Sequence, residues 1–564
     1  MEKVPIVPPA CANQTPKTIC PTIGSLSCAN CKLVLYCSQD CQKAHWQEHK
    51  KTCKSALSKA KWRPAWDREN RHPPWANGQA AVNIHNPFGG GKYLWGNVPA
   101  FDVLKLKENE GEGYAEDVAL LFAASGDLRN VVKTLANLPN LYRNAVLITL
   151  NDREFEVVAR NAILLLFVLT SLEDPQRSIT GIAESVIHIW YSALLPANLL
   201  SSLQSEVKPL IAAVCAKIAK RAPDAVLGKT WTFASGSTLR LSLRQQEWLR
   251  LERFSDVPTG FGVEEAKKVR AAIVLAPERM DYRERWYYKD TNPFMRLSKQ
   301  RFREDGLLLP FGHPRMGFDV PNPTFFQTSN VWPLGDQADP LSGWSIADVV
   351  ETPSLAANDW YGKLFIHLRD EFSKFLERLR LVKINFTLLN VDAKELPIYL
   401  DRNTYARIEV SNITDSYYLG TRQTLALFSP FLQPPSQNPH ATLIALYLNA
   451  ISQIMKTGRE GEGLPNTKVL MQYIPLNFEN MILSQQGADS YRAETTSRHM
   501  TGEGFKQIEK ESHVAVKIPS TIIEPWPTAL KLRPGQEGAQ EEFDLLVASN
   551  FSGIERYVEW KKVV

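Results

Sequence analysis

The sequence predicts an α/β protein in which a small metal-binding segment precedes a parallel-sheet domain. Three observations lead to this expectation. Seven of the eight cysteines lie within the first 53 residues. Strand-like apolar runs alternate with helical periodicity between residues 118 and 170, as in a parallel sheet covered by helices. The same alternation returns after residue 405, so we expect one sheet built from two separated parts of the chain.

Composition limits the classes of protein to consider. With 564 residues, 44% hydrophobic and 22% charged, the chain can form a large core and several domains. Its start lacks a continuous apolar run, so we do not expect secretion. The longest apolar run, residues 162–169, is far shorter than the roughly 20 residues that cross a bilayer. We therefore expect no membrane span and a location in the cytoplasm, the nucleus or both.

In a reducing compartment, clustered cysteines indicate metal binding rather than disulfides. Three close pairs of residues can each supply two ligands to one tetrahedral ion. With two further cysteines upstream, the chain offers eight ligands, enough for two structural zinc ions. His45 is a competing ligand, since it lies four residues before His49 on the predicted helix. The eight candidate ligands are Cys11, Cys20, Cys28, Cys31, Cys37, Cys41, His49 and Cys53. Cys215 lies in an apolar stretch and is expected to be a small buried side chain.

The segment "LYCSQDCQKAHWQEHKKTC", residues 35–53, resembles the MYND zinc finger beyond its ligands, at Tyr36, Gln42 and Trp46. The resemblance implies interleaved zinc sites and favours His49 over His45. One ion would take Cys11, Cys20, Cys37 and Cys41, and the other would take Cys28, Cys31, His49 and Cys53. The family usually opens with Cys-x2-Cys, whereas eight residues separate Cys11 from Cys20 here. A longer loop is tolerable because loop-closure entropy grows slowly with length.

The predicted finger is expected to bind protein rather than to catalyse a reaction. A segment of about 45 residues buries too little apolar surface to fold alone, so zinc would supply the folding free energy. Protein ligands would fill every coordination position and leave none for a substrate. The resemblance implies a peptide-binding module that recruits a protein partner. The alternative is a finger that only stabilises its own chain.

A basic run follows the finger, from Lys50 to Arg71. Such a run can contact nucleic-acid phosphates, yet the whole chain carries a net charge of only +5. The spacing of Trp62, Trp66 and Trp75 equally fits a linker packed on the next domain. Nucleic acid is therefore not an expected partner. Residues 54–90, rich in Pro, Asn and Gly towards their end, are predicted to be that linker.

The next region alternates strand and helix in the order expected of a doubly wound sheet. A strand at residues 118–124 ends in Ser125-Gly126-Asp127, and a second strand at 145–150 ends just before Asp152. Ligands of such sheets bind at the carboxyl ends of strands. The arrangement resembles the first half of a Rossmann-like, S-adenosylmethionine-dependent methyltransferase, which would put Gly126, Asp127 and Asp152 at the cofactor. The alternative is an ordinary strand-to-helix turn.

Residues 91–170 carry a second resemblance, in "YLWGNVPAFDVL", "LLFAASGDLRNVVKTL" and "LNDREFEVVARNAILLL". These segments are similar to the uncharacterised domain that follows MYND fingers in many filamentous-fungal proteins. A similar segment opens the axonemal dynein assembly factors. That family is of largely unknown function, so the resemblance informs architecture more than activity.

The rest of the chain contains a second αβ region after a long intervening segment. Residues 171–390 are predicted to be a helical and loop-rich insertion. Strands at 407–410 and 441–446, with a helix at 421–432 between them, would complete the sheet within 391–564. Glu409, Ser411, Asn412 and Asp415 would face a cofactor or form a satisfied loop. Residues 457–467 and 533–542 are predicted to be exposed loops.

We therefore expect a zinc-dependent interaction protein with a MYND finger at 1–53, and we assign no catalytic residue. The alternative is a methyltransferase, or a degenerate methyltransferase-like domain, that binds S-adenosylmethionine. A SET-type methyltransferase is disfavoured because no Asn-His-Ser-Cys segment is present. Hydrolases and nucleoside triphosphatases are disfavoured because the chain lacks a Gly-x-Ser-x-Gly elbow and a Gly-Lys-Ser/Thr phosphate loop.

Overall fold

A computed structural model describes residues 9–15, 18–74, 87–288, 292–328, 330–449, 472, 503–548 and 555–563. The predicted loop at 457–467, Trp75 and part of the predicted linker lie outside these residues. The strands in chain order are β1 Gln14–Thr15, β2 Thr18–Ile19, β3 Leu26–Ser27, β4 Leu35–Tyr36, β5 Val118–Phe122, β6 Val146–Asn151, β7 Leu194–Leu195, β8 Val226–Thr232, β9 Thr238–Arg244, β10 Val320–Pro321, β11 Ile384–Leu389, β12 Arg407–Glu409, β13 Thr442–Tyr447, β14 Val514–Val516 and β15 Arg556–Lys562.

Helices connect many of these strands in the described residues. They are α1 Gln39–Cys53, α2 Ala65–Arg68, α3 Leu106–Asn109, α4 Arg129–Ala136, α5 Phe155–Ser171, α6 Ile179–Tyr191, α7 Ala197–Ser202, α8 Lys208–Ile218, α9 Gln245–Glu252, α10 Val263–Val274, α11 Met280–Tyr288, α12 Pro293–Asp305, α13 Ile346–Glu351, α14 Trp360–Leu381, α15 Thr421–Phe428, α16 Glu503–Ser512 and α17 Ala539–Ala548. A π-helical turn, Leu203–Val207, joins α7 to α8.

A nine-stranded sheet organises the body in the order β14-β15-β13-β12-β5-β6-β11-β9-β8. Six neighbouring strands, from β13 to β9, run parallel. β15 and β8 pair antiparallel at the two sides of this parallel block. β6 follows β5 in the chain and pairs on one side of it, whereas β12 comes much later and pairs on the other side. The carboxyl ends of β5 and β12 therefore meet where the direction of winding reverses, which is where open α/β sheets bind ligands.

Alternating side chains place β5 between two hydrophobic cores. Val118, Leu120 and Phe122 belong to a large core with α4, α5, α6 and α14. Ala119 and Leu121 belong to a second core on the opposite face, with α15, β12 and β13. A central strand of a parallel sheet is buried on both faces, and this explains why the β5 sequence lacks polar residues.

The expectation of a mixed α/β sheet is confirmed, but two details differ from the sequence prediction. β8, β9 and β11 join the sheet although they lie within 171–390, so that segment is not simply a helical insertion. The strand order also differs from the 3-2-1-4-5-6 order of the dinucleotide-binding fold. A Rossmann-like fold is therefore not established for this chain. Within the described residues, no helix combines the length and the apolar character that a bilayer crossing requires.

The segment after the finger packs against the body. Trp66 forms a small apolar cluster with Tyr282 of α11 and Trp286. The guanidinium of Arg71 pairs with both carboxylate oxygens of Asp281, at 2.5 and 2.7 Å. The ring of Trp62 lies under the Arg296 guanidinium. Of the two interpretations of the tryptophan spacing, these contacts agree with a packed linker.

Candidate metal centre

Two short hairpins and one helix build the metal-binding finger. β1 pairs with β2, and β3 pairs with β4. The turn at Gly24 requires glycine, because a Cβ there would lie 2.7 Å from the Leu35 Cβ. α1 begins after Ser38, whose hydroxyl accepts a hydrogen bond from the Cys41 backbone N–H at 3.2 Å. This cap places Cys41 in the first turn of the helix and leaves Cys37 just before it.

The first ligand set, here site 1, joins the start of the chain to the start of α1. Its Sγ atoms all lie within 4.8 Å of one another. Cys37 Sγ is 3.4 Å from Cys41 Sγ and 3.7 Å from Cys20 Sγ. The members of site 1 are Cys11, Cys20, Cys37 and Cys41.

The second ligand set, here site 2, joins the loop before β4 to the carboxyl end of α1. Cys28 Sγ and Cys53 Sγ are 3.9 Å apart, and Cys31 Sγ is 3.5 Å from His49 Nε2. The members of site 2 are Cys28, Cys31, His49 and Cys53. The two sets interleave along the chain, as the family resemblance implied. All eight predicted ligands are brought together.

The spacing of the ligand atoms fits zinc. Zn–S bonds of about 2.3 Å place tetrahedral sulfurs about 3.8 Å apart, and a Zn–N bond of about 2.0 Å gives an S-to-N separation of about 3.5 Å. The observed separations of 3.4 to 3.9 Å match these values. All eight cysteines of the chain are free thiols. The residues present therefore form two closed zinc sites, and zinc there is structural because no coordination position is left for a substrate.

Neighbouring polar groups orient the ligands. The side-chain amide of Asn30 donates to Cys53 Sγ at 3.1 Å. The competing His45 instead pairs its Nδ1 with the hydroxyl of the buried Tyr36, at 3.0 Å. That contact gives His45 a separate partner and leaves His49 as the imidazole ligand.

Hydrogen bonds favour the thiolate of one cysteine in each set, whereas burial or a shared S–H···S contact raises the pKa of most of the other ligand cysteines. In site 1, the backbone N–H of Thr22 lowers the pKa of the Cys20 thiol to about 7. In site 2, the hydrogen bond from Cys31 lowers the pKa of Cys28 to about 3, and the same contact raises the pKa of Cys31. Zinc binds the deprotonated form of cysteine, so a group that stabilises a thiolate also favours metal binding.

The finger is fixed to the body next to site 2. Leu297 of α12 and Phe311 share one apolar cluster with the finger side chains. Asn358 donates from its side chain to the Cys31 carbonyl oxygen at 2.8 Å and from its backbone to the Lys32 oxygen at 3.1 Å. Sequence reasoning missed Asn358, since only the fold brings it to the finger. Asn30 was missed as well, although its place between two ligands was a local signal.

The finger also presents an apolar surface to solvent. Ile19, Ile23 and Leu26 are 55%, 52% and 45% exposed, and we call these three residues the apolar trio. Lys43 and Lys50 on α1, and Lys54 at its C-cap, recur at helical spacing and are exposed. Among the described residues of the finger, these are the large apolar side chains most open to solvent, and exposed apolar side chains that lie together can form a contact surface.

The three predicted cofactor residues meet at the carboxyl ends of β5 and β6. Gly126 has a φ of +55°, which favours glycine, and its N–H donates to Asp152 Oδ2 at 3.0 Å. Asp152 Oδ1 accepts from the Glu154 N–H at 2.9 Å. Asp127 accepts from the Gly96 N–H at 2.8 Å and pairs with Arg129 at 2.6 Å. The polar groups predicted to bind a cofactor therefore already form hydrogen bonds within the chain.

The loop after β12 is equally well bonded. Glu409 accepts from the Ser411 N–H at 2.7 Å, and burial raises the pKa of Glu409 to about 7. Asp415 accepts from the backbone N–H groups of Leu448 and Asn449, and from the side chain of Asn412 at 3.3 Å. Of the two interpretations of this loop, the contacts agree with a satisfied strand end.

Two family models match this chain. The MYND finger matches residues 17–53, and a domain of unknown function, DUF4470, matches residues 94–195. The chain thus carries a zinc-binding MYND finger, a class of module that mediates protein interactions, followed by a DUF4470 domain. Cys11 precedes the matched segment, yet the fold brings it into site 1. No solved structure matches the chain. The resemblance to filamentous-fungal proteins and dynein assembly factors stays a prediction.

Proposed function

We propose that the finger recruits a protein partner to the α/β body, and that its zinc ions hold the recruiting surface in shape. The main observation in support of this proposal is the solvent exposure of the apolar trio. Site 2 and α1 are fixed against α12 and Asn358, whereas Ile19, Ile23 and Leu26 point to solvent. A finger that only stabilised its own chain would gain nothing from three exposed apolar side chains near its cysteine ligands.

The charge on α1 supports a protein partner with acidic residues beside its apolar contacts. Lys50 is held by Gln47, and Lys54 lies over the Trp46 ring at 5.7 Å. Nucleic acid is a weaker candidate because Trp62 and Trp66 contact the body rather than being presented for base stacking. Cysteines that bind zinc instead of forming disulfides are typical of a reducing compartment, so we place the protein in the cytoplasm, the nucleus or both.

We favour this function over a methyltransferase. In the described residues, the backbone N–H of Gly126 and both oxygens of Asp152 are engaged within the chain. A cofactor would have to displace the bond from the Gly126 N–H or share the remaining lone pairs of Asp152. Titration with S-adenosylmethionine by calorimetry tests the alternative. We expect no heat of binding, and a saturable signal lost in Asp152→Ala would replace our proposal with the enzyme.

The recruitment proposal is tested with surface variants of the full chain. Deleting the finger is unsuitable, because it would expose Leu297 and Phe311. The triple variant Ile19→Ser, Ile23→Ser, Leu26→Ser removes the apolar trio. The control variant Leu141→Ser, Val226→Ser, Leu381→Ser changes three residues of similar or greater exposure on the body.

We expect quantitative crosslinking in cell extract to identify proteins that bind the wild type and the control variant in equal amounts. The amount of these proteins crosslinked to the trio variant should be at least tenfold lower. Both variants should retain wild-type zinc content and melting temperature, since surface substitutions change stability little. Equal crosslinking of the trio variant and the wild type would overturn the proposal.

A further inference from the structure

The two zinc sites differ in how well the protein shields their sulfurs. In site 2 every ligand is at most 3% exposed. In site 1 only Cys11 is fully buried, and Cys20, Cys37 and Cys41 are each partly open to solvent. We therefore expect a small oxidant to reach site 1 more readily than site 2.

The surroundings of site 2 add to this difference. The body covers it through Phe311, Leu297 and Asn358. The Asn30 amide donates to Cys53 Sγ, and this bond engages a sulfur lone pair that would otherwise attack the peroxide oxygen. Site 1 has donors of its own, since Thr22 hydrogen-bonds to Cys20, so the difference between the two sites depends mainly on the cover of site 2.

The sulfurs of site 1 are also close enough to react with one another. Cys37 Sγ is 3.4 Å from Cys41 Sγ and 3.7 Å from Cys20 Sγ. A sulfenic acid formed on one of these cysteines has a neighbouring thiolate within reach, and such a pair condenses to a disulfide.

We propose that site 1 is an oxidation-sensitive modification site, at which hydrogen peroxide forms a disulfide between two of the half-buried cysteines and releases one zinc ion. Cys37 and Cys41 are the closest pair. Two thiolates lose two electrons and form one S–S bond. The peroxide O–O bond accepts those electrons with two protons and gives two waters. The zinc ion leaves because only two of its four ligands remain.

The release has a local consequence. Cys20 lies between Ile19 and Ile23, so site 1 positions part of the apolar trio. Site 2 and its contacts with Asn358 would still hold α1 on the body. Oxidation would therefore disorder the recruiting surface and leave the rest of the chain folded. This consequence for partner binding rests on the proposed function, whereas the oxidation itself does not.

Native mass spectrometry of the zinc-loaded full chain treated with hydrogen peroxide tests the inference. We expect one zinc ion to leave at least tenfold faster than the second. Peptide mapping should place the disulfide among Cys20, Cys37 and Cys41, and a thiol reductant with added zinc should restore the two-zinc form. Cys215→Ser, which removes the cysteine outside the finger, should release zinc at the same rate as wild type.

The inference is overturned if both ions leave at one rate, or if the first disulfide involves Cys28, Cys31 or Cys53. It is also overturned if Asn30→Ala and wild type lose the second ion equally fast, since the Asn30 hydrogen bond should slow that step. These readouts use no partner. A failure of the recruitment proposal would appear in the apolar-trio comparison and would leave the zinc-release result unchanged.

Discussion

The side-chain amide of Asn358 donates to the carbonyl oxygen of Cys31 at 2.8 Å, across 327 positions of the chain. Cys31 is a ligand of site 2, so this bond ties a zinc site directly to the body. Asn358 is itself held by the Asn292 side chain at 2.7 Å, just before α12. The finger is therefore a fixed part of the protein surface and not a module on a flexible tether.

We predict that Asn358→Ala loosens the finger without removing zinc. The substitution leaves the Cys31 carbonyl without its side-chain donor, which costs about 1–2 kcal/mol of unfolding free energy. Hydrogen exchange should increase in the loop around Cys31 and Lys32, with two zinc ions retained. Asn137→Ala, at an exposed helix end, serves as the control and should leave exchange in the finger unchanged. Wild-type exchange in Asn358→Ala would contradict the docking.

The two histidines of α1 should respond differently to substitution. His49→Ala removes a ligand of site 2, and we expect one zinc ion to remain per chain. His45→Ala removes the contact with the Tyr36 hydroxyl and the stacking against the His49 ring, but no predicted ligand; it should keep both ions, with a loss of about 1 kcal/mol in stability. Zinc analysis of the purified variants by emission spectrometry checks this. Loss of zinc from His45→Ala alone would reverse the ligand assignment.

Asp152 should act as a structural residue of the strand-to-helix turn. Asp152→Ala leaves the backbone N–H groups of Gly126 and Glu154 without their acceptors, at a cost of roughly 2–4 kcal/mol for two partly buried donors. Urea unfolding measures the change. Asp224→Ala, at an exposed site, should change stability by less than about 0.5 kcal/mol. Equal stabilities of the two variants would show that Asp152 is free for another role.

Glu409 should make stability depend on pH. Burial raises its pKa from 4.5 to about 7 in the folded state. Below pH 4.5 the Glu409 carboxyl group is protonated in both the folded and the unfolded state. As the pH rises, the unfolded state loses this proton first, so the free energy of unfolding of the wild type falls up to about pH 7. The variant Glu409→Gln has no ionisable group at this position, so its stability should not fall in this way. Its side-chain oxygen should still accept the hydrogen bond from the Ser411 N–H.

Denaturant unfolding of both proteins at pH 5.5 and pH 8 tests this prediction. Each pH unit between the two pKa values corresponds to about 1.4 kcal/mol, so wild type should lose roughly 2 kcal/mol relative to Glu409→Gln. The comparison cancels the pH dependence of zinc binding, which both proteins share. A constant difference across this range would mean that Glu409 titrates normally in the fold.

The ligands and the first strands could be predicted because their signals are local. Close cysteine pairs reveal a metal site at any point in a fold, and the unbroken apolar run in β5 indicates a strand buried on both faces. β9 and β11 were missed because each has a face that is only partly covered. Thr387 and Asn385 interrupt the apolar pattern of β11, and Arg240 interrupts that of β9, so neither reads as a continuous buried run.

The position of the finger was beyond sequence reasoning for a different reason. Asn358 and Phe311 carry no signal of their own, and their role depends on a fold that brings distant segments together. At the turn that contains Gly126 the difficulty is the reverse, because the local sequence carries a signal that fits two interpretations. Its sequence resembles a cofactor site, and only the bonds from Gly126 to Asp152 and from Gly96 to Asp127 reveal that these groups already have partners.

The most direct test of the account is the zinc count of the full chain, by native mass spectrometry, in wild type and three single-cysteine variants. We predict two ions for wild type and for Cys215→Ala. We predict one for Cys41→Ala, which keeps site 2, and at most one for Cys53→Ala, which disrupts site 2 and its contact with the body. Fewer than two ions in wild type, or two ions in either ligand variant, would contradict the central claim that two closed zinc sites organise this finger.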